Sequence, residues 1–143
     1  MVPALAAALA HLPADRPRYL MGVGDPASMI EAIHLGVDQF DCVMQTRLGR
    51  HGTALTGVGR VNVKRKEFAL TDAPIDPECS CWVCGRHSLG YVRHLFKVGE
   101  PTASRLVSVH NVAWTIDLMA RTRASIVDGS FASFRASVLS VWG

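Results

Sequence analysis

The sequence contains no apolar run long enough to cross a lipid bilayer, no internal repeat and no low-complexity segment. Its apolar, alanine-rich start, residues 1–12, is too short for a membrane span and has no basic region before it, so it does not fit an export signal. Together with reduced thiols, these absences predict a cytoplasmic protein with no membrane partner.

Cysteine is scarce, and acidic residues are absent from one long stretch. Of four cysteines, three fall within six positions, at Cys79, Cys81 and Cys84, and Cys42 stands alone. Such crowding is typical of metal binding and does not fit a disulfide framework. No acidic residue lies between Arg47 and Lys66, where six basic residues occur: Arg47, Arg50, Arg60, Lys64, Arg65 and Lys66. This block could follow a phosphate backbone or form an ordinary solvated face.

The length and composition predict one folded domain. With 143 residues and a hydrophobic content of 49%, the chain can bury a core. Its net charge of +3 is too small to indicate nucleic-acid binding by itself. The function must therefore be sought in local patterns.

The first third of the chain has the pattern of a βαβ unit. A helix over 2–11 ends before Pro13, and residues 18–24 predict a buried strand. Asp25 and Pro26 are suited to the N-cap and first position of a helix that runs to about Leu35. A second strand is predicted over 39–44. Because a strand, a helix and a strand follow within thirty residues, we expect two parallel strands.

Beyond Arg47 the pattern changes to turns and then to helices. Glycines mark turns, the alternation over 60–67 predicts a short solvent-facing strand or a hairpin, and residues 71–78 are predicted to form a loop into the cysteines. Helices are predicted over 87–98 and 102–127, and residues 131–142 form either a helix or a frayed tail. The buried stripe predicted for the long helix consists of Leu106, Val109, Ala113, Ile116 and Ala120.

Asp41 is the candidate for chemistry. It lies near the end of the second predicted strand, and a predicted basic loop with Arg47 and Arg50 follows at once. A carboxylate beside a cationic loop suits attack on a carbon of a polyanionic substrate. The alternative is that Asp41 is a cap or turn residue.

The cysteine cluster predicts a structural zinc site. Cys79, Cys81 and Cys84 supply three thiolates, and by spacing the fourth ligand is either His87 or His110. A site closed by His110 would join the cysteine loop to the long helix. Four protein ligands leave no open position for catalysis. The alternative is three reduced cysteines packed in a loop.

Four motifs occur in an order and spacing that resemble the bacterial tRNA-guanine transglycosylases, or queuine tRNA-ribosyltransferases. They are RYLMGVG at 18–24, FDCVM-x-TR at 40–47, DPEC-x-C-x-x-C at 76–84, and His110-Asn111. The resemblance runs from about Arg16 to Phe134. It implies an α/β fold, the C-terminal part of a (β/α)8 TIM barrel with a zinc-binding subdomain inserted near the last strand.

The resemblance also implies a reaction and roles for residues. Such enzymes exchange the guanine at the wobble position of tRNA for a 7-deazaguanine, preQ1 or queuine, through a covalent aspartyl-ribose intermediate. Asp41 matches the nucleophile, and Met21 and Gly22 match the base pocket. Cys79, Cys81, Cys84 and His110 match the ligands of one structural Zn²⁺ per chain. Two segments match RNA contacts: Gly22, Val23, Gly24, Asp25, Pro26, Ala27 and Ser28, and Thr46, Arg47, Leu48, Gly49 and Arg50.

The implied organisation is a single partial domain over 1–143. It comprises the last βαβ of the barrel at 16–48, a hairpin and zinc subdomain at 49–110, and C-terminal helices at 102–142. The implied partners are tRNA, guanine or a 7-deazaguanine, and a second subunit of a homodimer, but no DNA.

The chain departs from the family pattern in two ways. Gln45 stands where the family has proline, which puts the geometry of the following loop in question. No segment resembles the half that carries the general-base aspartate, so the resemblance implies a fragment, a truncated gene product or a split subunit. The alternative function is a non-catalytic zinc-containing RNA-binding or partner subunit. A stand-alone DNA-binding zinc ribbon fits neither the long ligand spacing nor the βαβ unit.

Overall fold

A computed structural model of the protein describes residues 2–143, which form a mixed α/β structure of two compact units. The first unit contains the chain up to Val43 and the segment Thr122–Gly143, and the second unit is Met44–Arg121. Among the described residues, none of the helices combines the length and apolar character that a membrane crossing requires.

The first unit is built on a βαβ element, as predicted. Its elements are α1 (Val2–Leu9), β1 (Tyr19–Met21), α2 (Pro26–His34), β2 (Gln39–Asp41) and, after the second unit, α6 (Phe131–Trp142). Strands β1 and β2 pair in parallel, with Met21 opposite Asp41. Asp25 caps α2, because its carboxylate accepts a hydrogen bond from the backbone N–H of Ser28 at 3.3 Å.

Helices α1 and α2 and the two strands share a small core. Leu9, Ala32 and Val37 are buried, and Leu20 and Phe40 pack against them. Arg135 of α6 forms an ion pair of 2.8 Å with Glu31 of α2, and both side chains are largely sheltered from solvent. This pair fixes α6 on α2 and confirms a helix at 131–142 in place of a frayed tail.

Both strands are shorter and more exposed than expected. The sequence predicted a buried strand over 18–24, but β1 covers three residues, and Tyr19 and Met21 are 53% and 72% exposed. The second strand ends at Asp41 and does not reach residue 44. The end of β1 has a local reason, since Gly22 directly after the strand adopts a positive φ of 74°.

The second unit packs a hairpin and a cysteine loop against helices. Its elements are α3 (Met44–Arg50), β3 (Thr53–Thr56), β4 (Gly59–Asn62), a 3-10 helix (Lys66–Leu70), α4 (Leu89–Lys97) and the first part of α5 (Thr102–Val127). Strands β3 and β4 pair antiparallel and form a hairpin over 53–62, earlier in the chain than the predicted 60–67, because a 3-10 helix begins at Lys66. The core joins the hairpin, the cysteine loop, α4 and α5 through residues that include Ala54, Val83, Val92 and Val107.

Two predictions for the second unit were wrong. Arg47 and Arg50 lie in a short helix, α3, where the sequence predicted a loop. The buried face of α5 also differs from the predicted stripe, since Val109 and Ile116 are 44% and 65% exposed. His110, Asn111 and Trp114 are buried in their place, because polar side chains of α5 make the contacts that hold the hairpin and the cysteine loop.

Candidate functional site

Asp41 is the last residue of β2, at the carboxyl end of the parallel strand pair. Because side chains alternate along a strand and Met21 lies opposite Asp41, the side chain of Tyr19 is on the same face as both. The Tyr19 hydroxyl donates a hydrogen bond of 2.6 Å to Oδ1 of Asp41. The backbone N–H of Gly22 donates a second bond of 3.3 Å to the same oxygen.

The two oxygens of Asp41 are therefore used differently. Oδ1 accepts both hydrogen bonds, and within residues 2–143 no donor reaches Oδ2. The hydrogen bond to Asp41 raises the pKa of Tyr19, and so do desolvation and the negative charge of Asp41. Tyr19 consequently stays protonated and remains a donor. The arrangement orients a carboxylate through one oxygen and leaves the other open to react.

The predicted base-pocket residues adjoin this carboxylate. Met21 is exposed, and its thioether can lie flat against a planar ring. Gly22 follows in a turn, and its backbone oxygen accepts a weak bond of 3.6 Å from the Cys42 thiol. Met21, Gly22 and Asp41 thus come together at one end of the strand pair, in the first unit.

The first predicted RNA segment, residues 22–28, forms the turn after β1 and the first turn of α2. Gly22 is exposed, and Val23, Asp25, Ala27 and Ser28 are partly exposed. Gly24 and Pro26 are buried. The Asp25 carboxylate caps α2 by bonding to Ser28, so it has a structural task in this segment.

The second predicted RNA segment, residues 46–50, lies in α3 of the second unit. Arg47 and Arg50 are exposed, and Thr46 and Leu48 are half-buried. Gly49 is buried against α5, where a Cβ atom would approach Oγ of Ser108 to 2.5 Å. This close approach requires glycine and holds the two arginines at the surface. Gln45 is buried, and its carbonyl accepts a bond from Asn111.

A metal-binding cluster is the second candidate site. Cys79, Cys81, Cys84 and His110 each offer one ligand atom, and these atoms all lie within 4.8 Å of one another. The spacing had left His87 and His110 open as the fourth ligand. His110 is the histidine in the cluster, whereas the His87 ring stacks on Tyr91 with a centroid distance of 5.4 Å.

The His110 ring is oriented for a metal by its second nitrogen. Nε2 lies 2.8 Å from the carbonyl oxygen of Leu55, so this nitrogen carries the proton and donates it. Nδ1 then presents a lone pair, and it lies 3.3 Å from Sγ of Cys84 and 3.5 Å from Sγ of Cys81. A backbone carbonyl behind a metal-binding histidine is the usual support for such a ligand.

The charge balance of the cluster also fits a cation. Burial raises the pKa of the Cys84 thiol to about 12, and the neighbouring sulfurs of Cys81 and Cys79 contribute to the rise. Burial also raises the pKa of Cys79. Burial lowers the pKa of His110, which favours the neutral ring that a metal needs. Without a cation the thiols of Cys79 and Cys84 keep their protons, so the residues present fit a metal ion that binds thiolates.

The sequence assigned no role to three residues that support the two candidate sites, namely Tyr19, Asp76 and Asn111. Asp76 orders the loop before Cys79, since its carboxylate accepts bonds from the N–H groups of Gly57 and Glu78. Buried Asn111 joins α5 to the hairpin through Leu55. Tyr19 could have been found from the alternation of side chains along paired strands. Asp76 and Asn111 could not, because no pattern in the sequence places them beside the backbone groups of Gly57 and Leu55.

Comparison with known proteins gives one consistent family. The family model for queuine tRNA-ribosyltransferase matches residues 1–143. A queuine tRNA-ribosyltransferase of Nitratidesulfovibrio vulgaris (strain DP4) is 49% identical over 131 residues, which cover 92% of this chain and 35% of that protein. Those of Streptococcus thermophilus (strain CNRZ 1066) and Geobacillus kaustophilus (strain HTA426) are each 46% identical over 132 residues, with the same coverage. The chain spans about a third of the length of the curated relatives it matches.

Proposed function

The chain belongs to the queuine tRNA-ribosyltransferase family, and on this premise we propose that it supplies the nucleophile and part of the RNA-binding surface of a tRNA-guanine transglycosylase. The reaction is a pentosyl transfer in queuosine biosynthesis. It exchanges the guanine at the wobble position of the tRNA anticodon for a 7-deazaguanine, preQ1 or queuine. The observation that carries the proposal is the carboxylate of Asp41, whose Oδ1 accepts two hydrogen bonds while no donor within residues 2–143 bonds to Oδ2.

The proposed chemistry is a double displacement at the ribose. Oδ2 of Asp41 attacks the anomeric carbon, the bond from that carbon to the guanine nitrogen breaks, and the electron pair leaves with guanine. The incoming base then attacks the same carbon, and the aspartate leaves. Two inversions retain the configuration, as in retaining glycosidases. The general base of the second step belongs to the part of the family pattern that this chain does not match.

The neighbours of Asp41 suit this role. Tyr19 and Gly22 hold Oδ1 and leave Oδ2 free for the ribose carbon. Both donors also stabilise the carboxylate when it leaves, because they bond most strongly to the charged form. The exposed side chain of Met21 covers one face of the base, and Gly22 allows the backbone to approach it closely.

RNA recognition is proposed for the same two segments that the family resemblance implies. Residues 22–28 contact the RNA near the reacting nucleotide. In residues 46–50, the exposed guanidinium groups of Arg47 and Arg50 bind phosphates or unpaired base edges of the anticodon loop.

We propose one structural Zn²⁺ per chain on Cys79, Cys81, Cys84 and His110. A tetrahedron with Zn–S bonds of about 2.3 Å and a Zn–N bond of about 2.0 Å has edges of roughly 3.5–3.8 Å. The 3.3 and 3.5 Å separations between Nδ1 of His110 and two sulfurs are close to those edges. Zinc ties the cysteine loop to α5 and leaves no open position for catalysis.

The larger architecture is part of the same proposal. The βαβ unit at 16–48 is assigned to the end of a (β/α)8 barrel, 49–110 to the zinc subdomain and 102–142 to the C-terminal helices. The position of Asp41 after a parallel strand follows the rule that barrel enzymes place catalytic groups there. A homodimer in the cytoplasm is the proposed working form, and a reducing compartment keeps the zinc ligands reduced.

The test is incorporation of labelled guanine into tRNA by the purified, metal-loaded chain. Exchange by the wild type and none by Asp41→Ala, with equal zinc content in both, would show that the chain supplies a working site. Loss of zinc from Asp41→Ala would instead assign a structural role to Asp41. No exchange by a folded, zinc-loaded wild type would fit both a fragment that needs its missing half and the non-catalytic RNA-binding subunit. Adding the missing half from a relative would then separate the two, because only the fragment would gain activity.

A further inference from the structure

A cavity of about 340 Å³ in the second unit borders the metal-binding cluster. Two of the four candidate metal ligands, Cys79 and Cys81, belong to its lining. The charged groups of the lining are three carboxylates and one guanidinium, those of Asp76, Glu78, Asp117 and Arg121. We call this space the acidic cavity, because its carboxylates outnumber its one cation. It connects the sulfurs of the cluster with exposed residues at its rim.

The open side of the cluster is the side of its cysteines. His110 is fully buried, and its Nε2 is bonded to the carbonyl oxygen of Leu55, so the hairpin closes the cluster behind the histidine. The three cysteines, in contrast, are partly exposed. An ion that enters or leaves the cluster therefore passes the sulfurs before it meets the imidazole.

Glu78 carries the carboxylate of this cavity that is available to a cation. Both oxygens of Asp76 accept backbone hydrogen bonds, at 2.9 Å from Gly57 and at 3.0 Å from Glu78. The Asp117 carboxylate accepts a bond of 2.7 Å from Nε of Arg121. The side chain of Glu78 is exposed, and within residues 2–143 its carboxylate makes no hydrogen bond or ion pair.

The backbone holds Glu78 at the entrance to the cluster. Its N–H is bonded to the side chain of Asp76, and the N–H of the next residue, Cys79, donates a bond of 3.1 Å to the Asp76 carbonyl oxygen. A Cβ atom at Gly57 would lie 3.5 Å from Oε2 of Glu78, so this oxygen lies against the hairpin turn that also lines the cavity. A movable carboxylate thus extends from a fixed backbone directly beside the first cysteine ligand.

The charge around the cluster favours this cavity as the path for a cation. Ala113 and buried Trp114 of α5 give the acidic cavity an apolar wall. Apolar walls around a cleft of one sign of charge focus its field and raise the local concentration of counter-ions. A second cavity borders the cluster at Cys84, but its one carboxylate, from Asp72, is balanced by the guanidinium of Arg86.

We propose that Glu78 is a transient ligand of Zn²⁺, through which the ion enters and leaves the cluster by the acidic cavity. A carboxylate oxygen of Glu78 replaces one water of the hydrated ion. The sulfurs of Cys79 and Cys81 then replace the carboxylate, and each thiol releases its proton to water. Cys84 and His110 complete the site. This inference rests on the proposed metal site, but it does not depend on the proposed base exchange.

The test measures the rate at which the zinc-loaded chain releases Zn²⁺ to a coloured chelator, extrapolated to zero chelator. Glu78→Gln keeps the size of the side chain and removes its charge. We expect the release rate to fall about three- to tenfold. The dissociation constant from equilibrium competition should change less than about threefold, because a transient ligand lowers the barrier equally in both directions. A residue that merely supported the site would have the opposite effect on the rate, since its loss would speed release.

Asp72→Asn is the matched control, because it also removes one exposed carboxylate from a cavity that borders the cluster. Asp72 lines the cavity at Cys84 and is absent from the lining of the acidic cavity. If the path runs past Glu78, this change alters only the general field around the site, which solvent and salt screen. We expect Asp72→Asn to leave the release rate and the dissociation constant within about twofold of the wild type.

Three results would overturn the inference: an unchanged or faster release from Glu78→Gln, equal slowing by both variants, or slowing by Asp72→Asn alone. The last result would place the path at Cys84. Failure of the inference is distinguishable from failure of the proposed metal site. A wild-type chain that binds no Zn²⁺ would remove the site and the path together. A chain that binds Zn²⁺ but whose release rate does not depend on Glu78 would refute the path alone.

Discussion

At the scale of single residues, Asp41 is distinguished by the unequal use of its two oxygens. Tyr19 and Gly22 both bond to Oδ1, whereas no donor within residues 2–143 bonds to Oδ2. The sequence could predict Asp41 as a strand-end carboxylate, and the motif around it supported a nucleophile. Tyr19 was missed because its position 22 residues earlier becomes meaningful only through the parallel register of β1 and β2.

The role of Tyr19 can be measured in a chimera in which this chain replaces the matching third of the Geobacillus kaustophilus relative. Tyr19→Phe keeps the ring and removes the donor to Asp41. We expect kcat for guanine exchange to fall roughly fivefold, with little change in KM for tRNA, because the nucleophile loses orientation and not substrate contact. Tyr91→Phe, a change at another exposed tyrosine, should leave kcat unaltered. An unchanged kcat, or a kcat and a KM for tRNA that fall together, would show that Tyr19 is not a positioning residue.

The thiols of the cluster predict how metal binding depends on pH. The pKa values of Cys79 and Cys84 are raised in the metal-free protein, so both thiols are protonated near neutral pH. A metal must displace these protons, and its apparent affinity should rise with pH by at least about two log units per pH unit between about pH 6.5 and 8. His110, whose pKa is lowered, is neutral there and releases no proton.

Competition with a coloured chelator across this pH range measures that slope. Cys84→Ser removes one titrating ligand and should reduce both the affinity and the slope, the latter by about one. Cys42→Ser changes a cysteine outside the cluster and should leave the slope unchanged. An affinity that does not depend on pH would mean that the sulfurs are not the ligands.

At the scale of elements, helix α5 shows where sequence patterns mislead. Its bounds agree with the predicted 102–127, but its buried face does not agree with the predicted apolar stripe. The inward face carries His110 and Asn111, whose polar groups bond to the hairpin, while Val109 and Ile116 are exposed. A pattern that counts only apolar residues places this face wrongly, because buried polar residues with long-range partners are invisible to it.

Asn111 gives the stability prediction at this scale. Its amide accepts from Leu55 N–H at 2.9 Å and donates to the carbonyls of Gln45 and Thr53 at 3.0 and 2.9 Å. Asn111→Leu keeps the approximate volume and leaves these three backbone groups without their partner. We expect the free energy of unfolding to fall by about 3 kcal/mol, measured by urea denaturation.

The matched control on the same helix is Ile116→Ala. Ile116 is 65% exposed, so its truncation should cost less than about 0.5 kcal/mol. If Asn111→Leu costs no more than this control, the amide does not hold α5 to the hairpin. In that case the bonds of Asn111 would not explain why asparagine follows His110 in this motif.

Among the other helices and strands, those that depend on local sequence signals were predicted, and the one that depends on distant contacts was not. The helix from Pro26, the parallel strand pair and the hairpin were predicted, because caps, glycines and periodicity act over a few residues. The short helix α3 was not predicted, because seven residues are too few for a helical period to show and the glycines at 49 and 52 favour turns. Its Gly49 is accommodated by packing against Ser108, a contact between residues 59 positions apart.

At the scale of the whole molecule, the metal site joins parts of the second unit that are distant in sequence. The cysteine loop and α5 meet there, and Leu55 of the hairpin orients the histidine. Removing the metal with a chelator should lower the unfolding temperature of the second unit by at least about 10 °C, because metal binding is coupled to folding. Calorimetry before chelation, after it and after return of zinc tests this, and an unchanged unfolding temperature would contradict a structural metal.

The barrel architecture could be predicted only through resemblance. Two parallel strands and their helices are compatible with several α/β architectures, because a single strand pair does not define the strand order of a larger sheet. The four motifs supplied the family, and the family comparisons confirmed it. The catalytic role of Asp41 remains the central claim.

The most direct measurement of that claim is a covalent adduct between the chimera and tRNA in the absence of an incoming base. Asp41→Asn keeps the shape of the side chain and its bonds to Tyr19 and Gly22 while removing its nucleophilic charge. We predict an RNA–protein adduct that survives denaturation for the wild-type chimera, and none for Asp41→Asn at equal zinc content and equal tRNA affinity. An adduct of equal yield with Asp41→Asn, or none with the active wild type, would contradict the account.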